Sequence, residues 1–253
     1  MKKRENGQGM GLVRFAYVAS TSGIAVSKAA IRHKRMMKHP ERYSDERMYA
    51  AAIELMDHMR KRGRTTNKVY GLENLPKEGG YMVCPNHQGK YDAIAIFLSH
   101  PGRIAVLMEK EQANKIVSKQ VVDLVKGERL DFANPKQQIA VLDKIAADIA
   151  NGKKFLIFPE GGYVDNKNTL RKFNSGCFRV ALKSHMPIVP TVLFDSYRAL
   201  NGNTFEKVEV QIHYLKPITF EEYDGMRKNE IADLVKSRIQ EKMDEILGGK
   251  TNA

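Results

Sequence analysis

The chain is 253 residues long, 42% hydrophobic and 28% charged, with no low-complexity tract and no internal repeat. That is enough for one folded catalytic domain, and it excludes disordered, fibrous and repeat proteins. Its formal net charge of +13 is uneven, because residues 1–68 hold sixteen Lys or Arg against six Asp or Glu. Such asymmetry favours a polyanionic partner. The two cysteines, Cys84 and Cys177, are too few for a disulfide scaffold and read as free thiols in a reducing compartment.

Taken in chain order, residues 10–38 and 45–60 read as two helices parted by His39-Pro40. The second carries Met48, Ala52, Leu55 and Met59 at helical spacing. In the first, which includes Arg14 and Lys28, the longest uncharged stretch runs only from 15 to 27. A bilayer crossing takes roughly 18 to 20 residues. The basic Ile31-Arg-His-Lys-Arg-Met-Met-Lys38 stands where a signal peptide would have a small-residue cleavage site. A helix lying in an anionic membrane surface, its cations reaching for lipid headgroups, fits this pattern at about 1 kcal/mol per cation. The alternative is a solvated helical hairpin. A nucleic-acid partner is not expected, since zinc-ligand cysteine spacing and an aromatic-rich strand for base stacking are both missing.

Residues 60–66 read as a basic linker. Beyond Val69, short apolar runs alternate with amphipathic helices. Strands are expected at 81–83, 104–108, 155–158, 188–194 and 208–214, the last alternating apolar and polar residues as an edge strand would. Helices are expected at 92–99, 111–126, 136–150, 174–183 and 230–247. The expected fold class is α/β, with a mixed, largely parallel sheet flanked by helices over residues 67–253. Residues 1–66 form its N-terminal two-helix membrane-surface extension.

Two segments carry the chemistry. Cys84-Pro-Asn-His-Gln-Gly-Lys-Tyr-Asp92 places a His and an Asp five residues apart where a strand gives way to a helix. About seventy residues later, a second apolar run ends in Phe158-Pro-Glu-Gly161. With Gly89 between them, His87 falls on the turn and Asp92 in the first helical turn, where the helix dipole favours an acid. There a carboxylate can hold one imidazole nitrogen and leave the other as a base. The bland alternative is a loop histidine beside an ordinary N-terminal helix acid. The seven histidines are scattered without ligand spacing, so no metal and no cofactor is expected.

Asn86-His87-x4-Asp92, Phe158-Pro-Glu-Gly161 and Pro187-Ile-Val-Pro190, in this order and spacing, resemble the glycerolipid acyltransferase family that includes 1-acylglycerol-3-phosphate acyltransferases. The similarity runs from about Val69 to about Pro217. It implies transfer of a fatty acyl group from a thioester, acyl-CoA or acyl-acyl carrier protein, to the free hydroxyl of 1-acylglycerol-3-phosphate, giving phosphatidic acid, at the cytoplasmic face of the membrane, by a peripheral or monotopic protein. His87 would be the general base and Asp92 its orienting partner, without an acyl-enzyme. Glu160 and Gly161, with Asn86 and Gly162 beside them, would help hold the glycerol-phosphate part, and Pro190 would shape the acyl-donor side. Three positions depart from the family: Phe132, Tyr163 and Asn174 stand where cations usually grip the acceptor phosphate. Arg129, Arg171, Lys172 and Lys90 are near enough in sequence to substitute. The departures also leave open a different acceptor, such as another lysolipid, a glycolipid or an amine.

Overall fold

The computed structural model describes residues 11–251; the start of the expected basic extension, residues 1–10, lies outside the described residues, as do 252–253. Three helices come first: α1 (Val13–Thr21), α2 (Gly23–Lys38) and α3 (Asp45–Arg62). The single helix expected over 10–38 is therefore broken. Ser22, buried at φ −99° and ψ 1°, ends α1, and Gly23 begins α2. The Ser44 side chain accepts from Arg47 N at the start of α3, and three basic residues in its last turn complement the helix dipole.

The remainder alternates β1 (Thr65–Tyr70), β2 (Tyr81–Pro85), α4 (Asp92–Ser99), β3 (Ala105–Glu109), α5 (Lys110–Ala113), α6 (Ile116–Leu124), β4 (Glu128–Leu130), α7 (Pro135–Ala150) and β5 (Lys154–Leu156). It continues through α8 (Arg179–Ser184), β6 (Ile188–Phe194), α9 (Tyr197–Asn201), β7 (Val208–Tyr214), α10 (Phe220–Tyr223) and α11 (Lys228–Thr251). The seven strands form one sheet in the order β1-β7-β6-β2-β5-β3-β4. All neighbours are parallel except β6 and β7.

Side chains alternate across the sheet, so each inner strand feeds two cores. Tyr81 and Val83 of β2 pack with α3, α4 and α6 on one face. Met82 and Cys84 pack with α7, α8 and α11 on the other. This is a helix–sheet–helix sandwich. α11 alone buries Ile231, Val235, Ile239 and Met243, each fully excluded from solvent and each contributing about 1.5–3 kcal/mol. Val18, Met36, Met48 and Leu55 belong to the first core, so α1–α3 are packed onto the domain itself.

Three further expectations need correction, besides the helix expected over 111–126, which is broken at Asn114 and Lys115 into α5 and α6. β7 is not an edge strand, because it lies between β1 and β6; its alternation reports a half-exposed face, with Glu209 outward and Val208 and Val210 inward. The edge on that side is β1, with Thr65 pairing Val208 and Tyr70 pairing His213; its first two residues fall in the stretch read as a basic linker, and Thr65 to Lys68 are all polar. The third correction concerns Arg14, which is buried to 1% exposure rather than reaching for lipid. Its guanidinium donates to Gly63 O and Thr204 O, the latter at 3.1 Å, tying α1 to the end of α3 and to the α9–β7 connection.

Candidate active site

Because β2, β5, β3 and β4 run parallel, their carboxyl ends lie along one side of the sheet, and the two motif segments leave from β2 and β5 there. His87 Nδ1 donates to Asp92 Oδ2 at 2.7 Å across the β2–α4 turn. The same oxygen accepts from the backbone N–H of Gln88 and, at 2.8 Å, from that of Gly89. Asp92 is fully buried in the first turn of α4, so the turn closes around its carboxylate. An acceptor-only partner on Nδ1 assigns the proton to that nitrogen and leaves the Nε2 lone pair for a substrate. Aromatic rings fix the imidazole plane: Phe158 stacks at 4.1 Å between centroids, and Tyr163 meets it edge-on at 4.7 Å.

Glu160 reaches back from the second segment. Its Oε1 accepts from His87 N at 2.9 Å and its Oε2 from Arg171 N at 3.3 Å. Burial pushes its carboxyl up to about 7, against the pull of those two N–H donors and the Arg171 charge. Gly161 and Gly162 follow at φ 66° and 152°, backbone that glycine adopts without steric cost.

His87, Lys90, Gly161 and Gly162 line a cavity of about 820 Å³, walled mainly by apolar side chains such as Met56, Ile94, Phe97, Val121 and Leu142. Phe132, Tyr163 and Asn174 line it as well. The other candidate residues do not line it. Asn86 bridges β2 to β6, donating to Leu193 O at 3.0 Å and accepting from Leu193 N at 2.7 Å. Pro190 is buried inside β6 opposite Cys84. Arg129 is turned away to Asp123 and Asn114. The Arg171 guanidinium donates to Gly162 O at 3.1 Å, and Lys172 is exposed.

Sequence reasoning missed Gln88, whose amide donates to Leu193 O and to Asn168 Oδ1, both at 3.0 Å, and accepts from Ser196 Oγ at 3.1 Å. This network joins the His87 turn to the segment after Gly162 and to the end of β6. Four residues from distant segments make it, so no local pattern announces it.

Residues 66–193, just over half of the chain, match the Acyltransferase family. The chain belongs to the acyltransferase family. The acyltransferase is 30% identical over 172 residues to a 1-acyl-sn-glycerol-3-phosphate acyltransferase of Limnanthes douglasii, covering 67% of this chain and 59% of that one. It is 27% identical over 184 residues to the enzyme of the same description from Saccharomyces cerevisiae, covering 71% and 60%. The chain therefore spans about three-fifths of the length of these relatives. In fold it matches the 1-acyl-sn-glycerophosphate acyltransferase of Thermotoga maritima at a TM-score of 0.72 and 16% identity, covering 92% of this chain and 94% of that one. The family match spans both motif segments of the acyltransferase, His87 to Asp92 and Phe158 to Gly161.

Proposed function

We propose that the protein moves a fatty acyl group from an acyl thioester to the free hydroxyl of 1-acylglycerol-3-phosphate, giving phosphatidic acid. The observation that carries this reading is the His87–Asp92 pair at 2.7 Å, set on the wall of an apolar cavity large enough for an acyl chain. His87 Nε2 takes the hydroxyl proton as the oxygen attacks the thioester carbonyl carbon. The new C–O bond forms, the C–S bond breaks with its electrons going to sulfur, and the imidazolium returns the proton to the thiolate. Asp92 holds the tautomer and stabilises the imidazolium. One positioned base contributes about 10²- to 10⁴-fold.

The carbonyl oxygen carries negative charge in the transition state and needs donors aimed at it. The N–H groups of Gly89 and Gly161 are already given to Asp92 Oδ2 and Phe158 O, so other donors must meet the oxyanion. The donor is acyl-CoA or an acyl carrier protein. The relatives described as acting on 1-acylglycerol-3-phosphate support the acceptor.

No described helix is long and apolar enough to cross a membrane. Leu12, Ile24 and Ile31 are 62%, 77% and 71% exposed on and beside α1 and α2, among Lys28, Lys34 and Arg35. These residues support peripheral attachment to an anionic membrane through the α1–α2 region. Incubating the purified protein on anionic vesicles with lysophosphatidate and a long-chain acyl thioester tests the reading. No phosphatidate with either acyl-CoA or acyl carrier protein as donor overturns it.

A further inference from the structure

Phe132, Tyr163 and Asn174 bring no cation to the cavity at the three positions where the resemblance leads one to expect phosphate-binding residues. Of the four sequence candidates to replace them, Arg129, Arg171 and Lys172 do not line the cavity, and Lys90 does. Lys115, immediately before α6, joins Lys90 on the wall. Other cations near α6 are neutralised. Lys110 pairs with Asp131 at 3.0 Å, Lys119 with Asp123 at 2.7 Å, and Arg129 with Asp123.

Among the described residues neither Lys90 nor Lys115 forms an ion pair; the Lys90 ammonium instead lies 5.1 Å from the centroid of the Phe15 ring. Burial, and secondarily the charge of Lys115, lower the Lys90 pKa from its ordinary value, so the two ammonium groups feel one another across the site. Glu109 shares the wall as well. Two cations held near each other at a largely apolar cavity are costly in the free protein, and an arriving anion offsets that cost.

We propose that Lys90 and Lys115 form the phosphate grip of this site, holding a phosphomonoester of the substrate that binds beside His87. The inference rests on the acyl-transfer reading above. Lys90 follows His87 by three residues in the same turn, and Gly89 between them also lines the cavity. A phosphate bound here would therefore draw the substrate towards the base. Ammonium groups suit the task as mobile point charges with three donors each, where the family's arginines would act as planar forks. Lysophosphatidate carries such a phosphate as acceptor, and coenzyme A carries one as donor.

The test is calorimetric titration of wild type, Lys90→Gln, Lys115→Gln and the double variant with lysophosphatidate, with the corresponding monoacylglycerol and with coenzyme A. The double variant is expected to bind lysophosphatidate about tenfold or more weakly and monoacylglycerol unchanged. A loss confined to coenzyme A assigns the grip to the donor. Unchanged affinity for both phosphate-bearing molecules overturns the inference. So does an equal loss for monoacylglycerol, which reports a collapsed cavity, or a wild type that binds neither phosphate compound. Turnover in the same preparations separates the two claims: a wild type that binds lysophosphatidate through these lysines without acylating it contradicts the proposed reaction and leaves the grip standing.

Discussion

The backbone N–H of His87 donates to Glu160 Oε1 at 2.9 Å, so the carboxyl group of the second motif holds the histidine of the first by its main chain. With its other oxygen on Arg171 N, Glu160 acts from behind the cavity wall and ties the two motif segments together.

That carboxyl is raised from an ordinary 4.5 to about 7 by burial, which makes its effect on stability a function of pH. Between those values the folded protein keeps a proton that the unfolded chain releases. The contribution of Glu160 is therefore greatest at low pH and falls as pH rises through the window, by about 3 kcal/mol in total. Glu160→Gln should remove this slope, since other titrating groups cancel when the two proteins are compared. A constant offset of about 1–3 kcal/mol should remain, because one backbone N–H loses its acceptor. Urea unfolding of both proteins at about pH 5 and pH 8 measures the slope; identical slopes would contradict the assignment.

Asp92→Asn keeps an oxygen available for the N–H groups of Gln88 and Gly89 while removing the charge that stabilises an imidazolium at His87. The expected result is a fall in kcat of about 10²-fold or more with KM little changed. Steady-state kinetics on lysophosphatidate reads it out, and a rise in KM alone would place Asp92 in substrate binding instead.

Arg14→Ala leaves Gly63 O and Thr204 O without their buried donor and opens a void between α1 and α3. A loss of about 3 kcal/mol or more is expected from the cavity together with the lost hydrogen bonds, although Gly63 O keeps the Thr65 hydroxyl as a donor. Denaturant unfolding checks it, and a loss below about 1 kcal/mol would show that the site collapses or fills with water.

Ile24→Glu with Ile31→Glu alters two exposed residues seven apart on α2, hence on one face. The pair should leave the unfolding midpoint unchanged and weaken binding to anionic vesicles by about 10²-fold, from two lost apolar insertions. Vesicle co-sedimentation decides the matter; undiminished binding would move the attachment surface elsewhere.

The parts legible in the sequence were those made by neighbours along the chain. α4 falls at Asp92–Ser99 as its apolar run indicates, and the His87–Asp92 bond spans one turn. β6, apolar except for Thr191, is central and buried at every position, as such a run requires. What failed was whatever depends on partners far away. β1 begins with four polar residues, so no strand is expected there and Thr65 and Thr66 fall in the basic linker, and β7 reads as an edge because alternation reveals a face rather than a neighbour. Arg14 looked like a surface cation because its carbonyl partners come from residues 63 and 204. Lys115 had no motif around it and reaches the site only through the packing of α5 and α6 beside the sheet.

The most direct test is phosphatidate formation by wild type and His87→Ala on anionic vesicles, from lysophosphatidate and a long-chain acyl-CoA. His87 is only partly exposed, and its Nδ1 bond to Asp92 is one of three that Asp92 Oδ2 accepts, so the variant is expected to fold. The predicted result is product from the wild type and a rate about 10²-fold or more lower in the variant. An equal rate in the two proteins would show that another group takes the hydroxyl proton, and would contradict the assignment of His87 as the base.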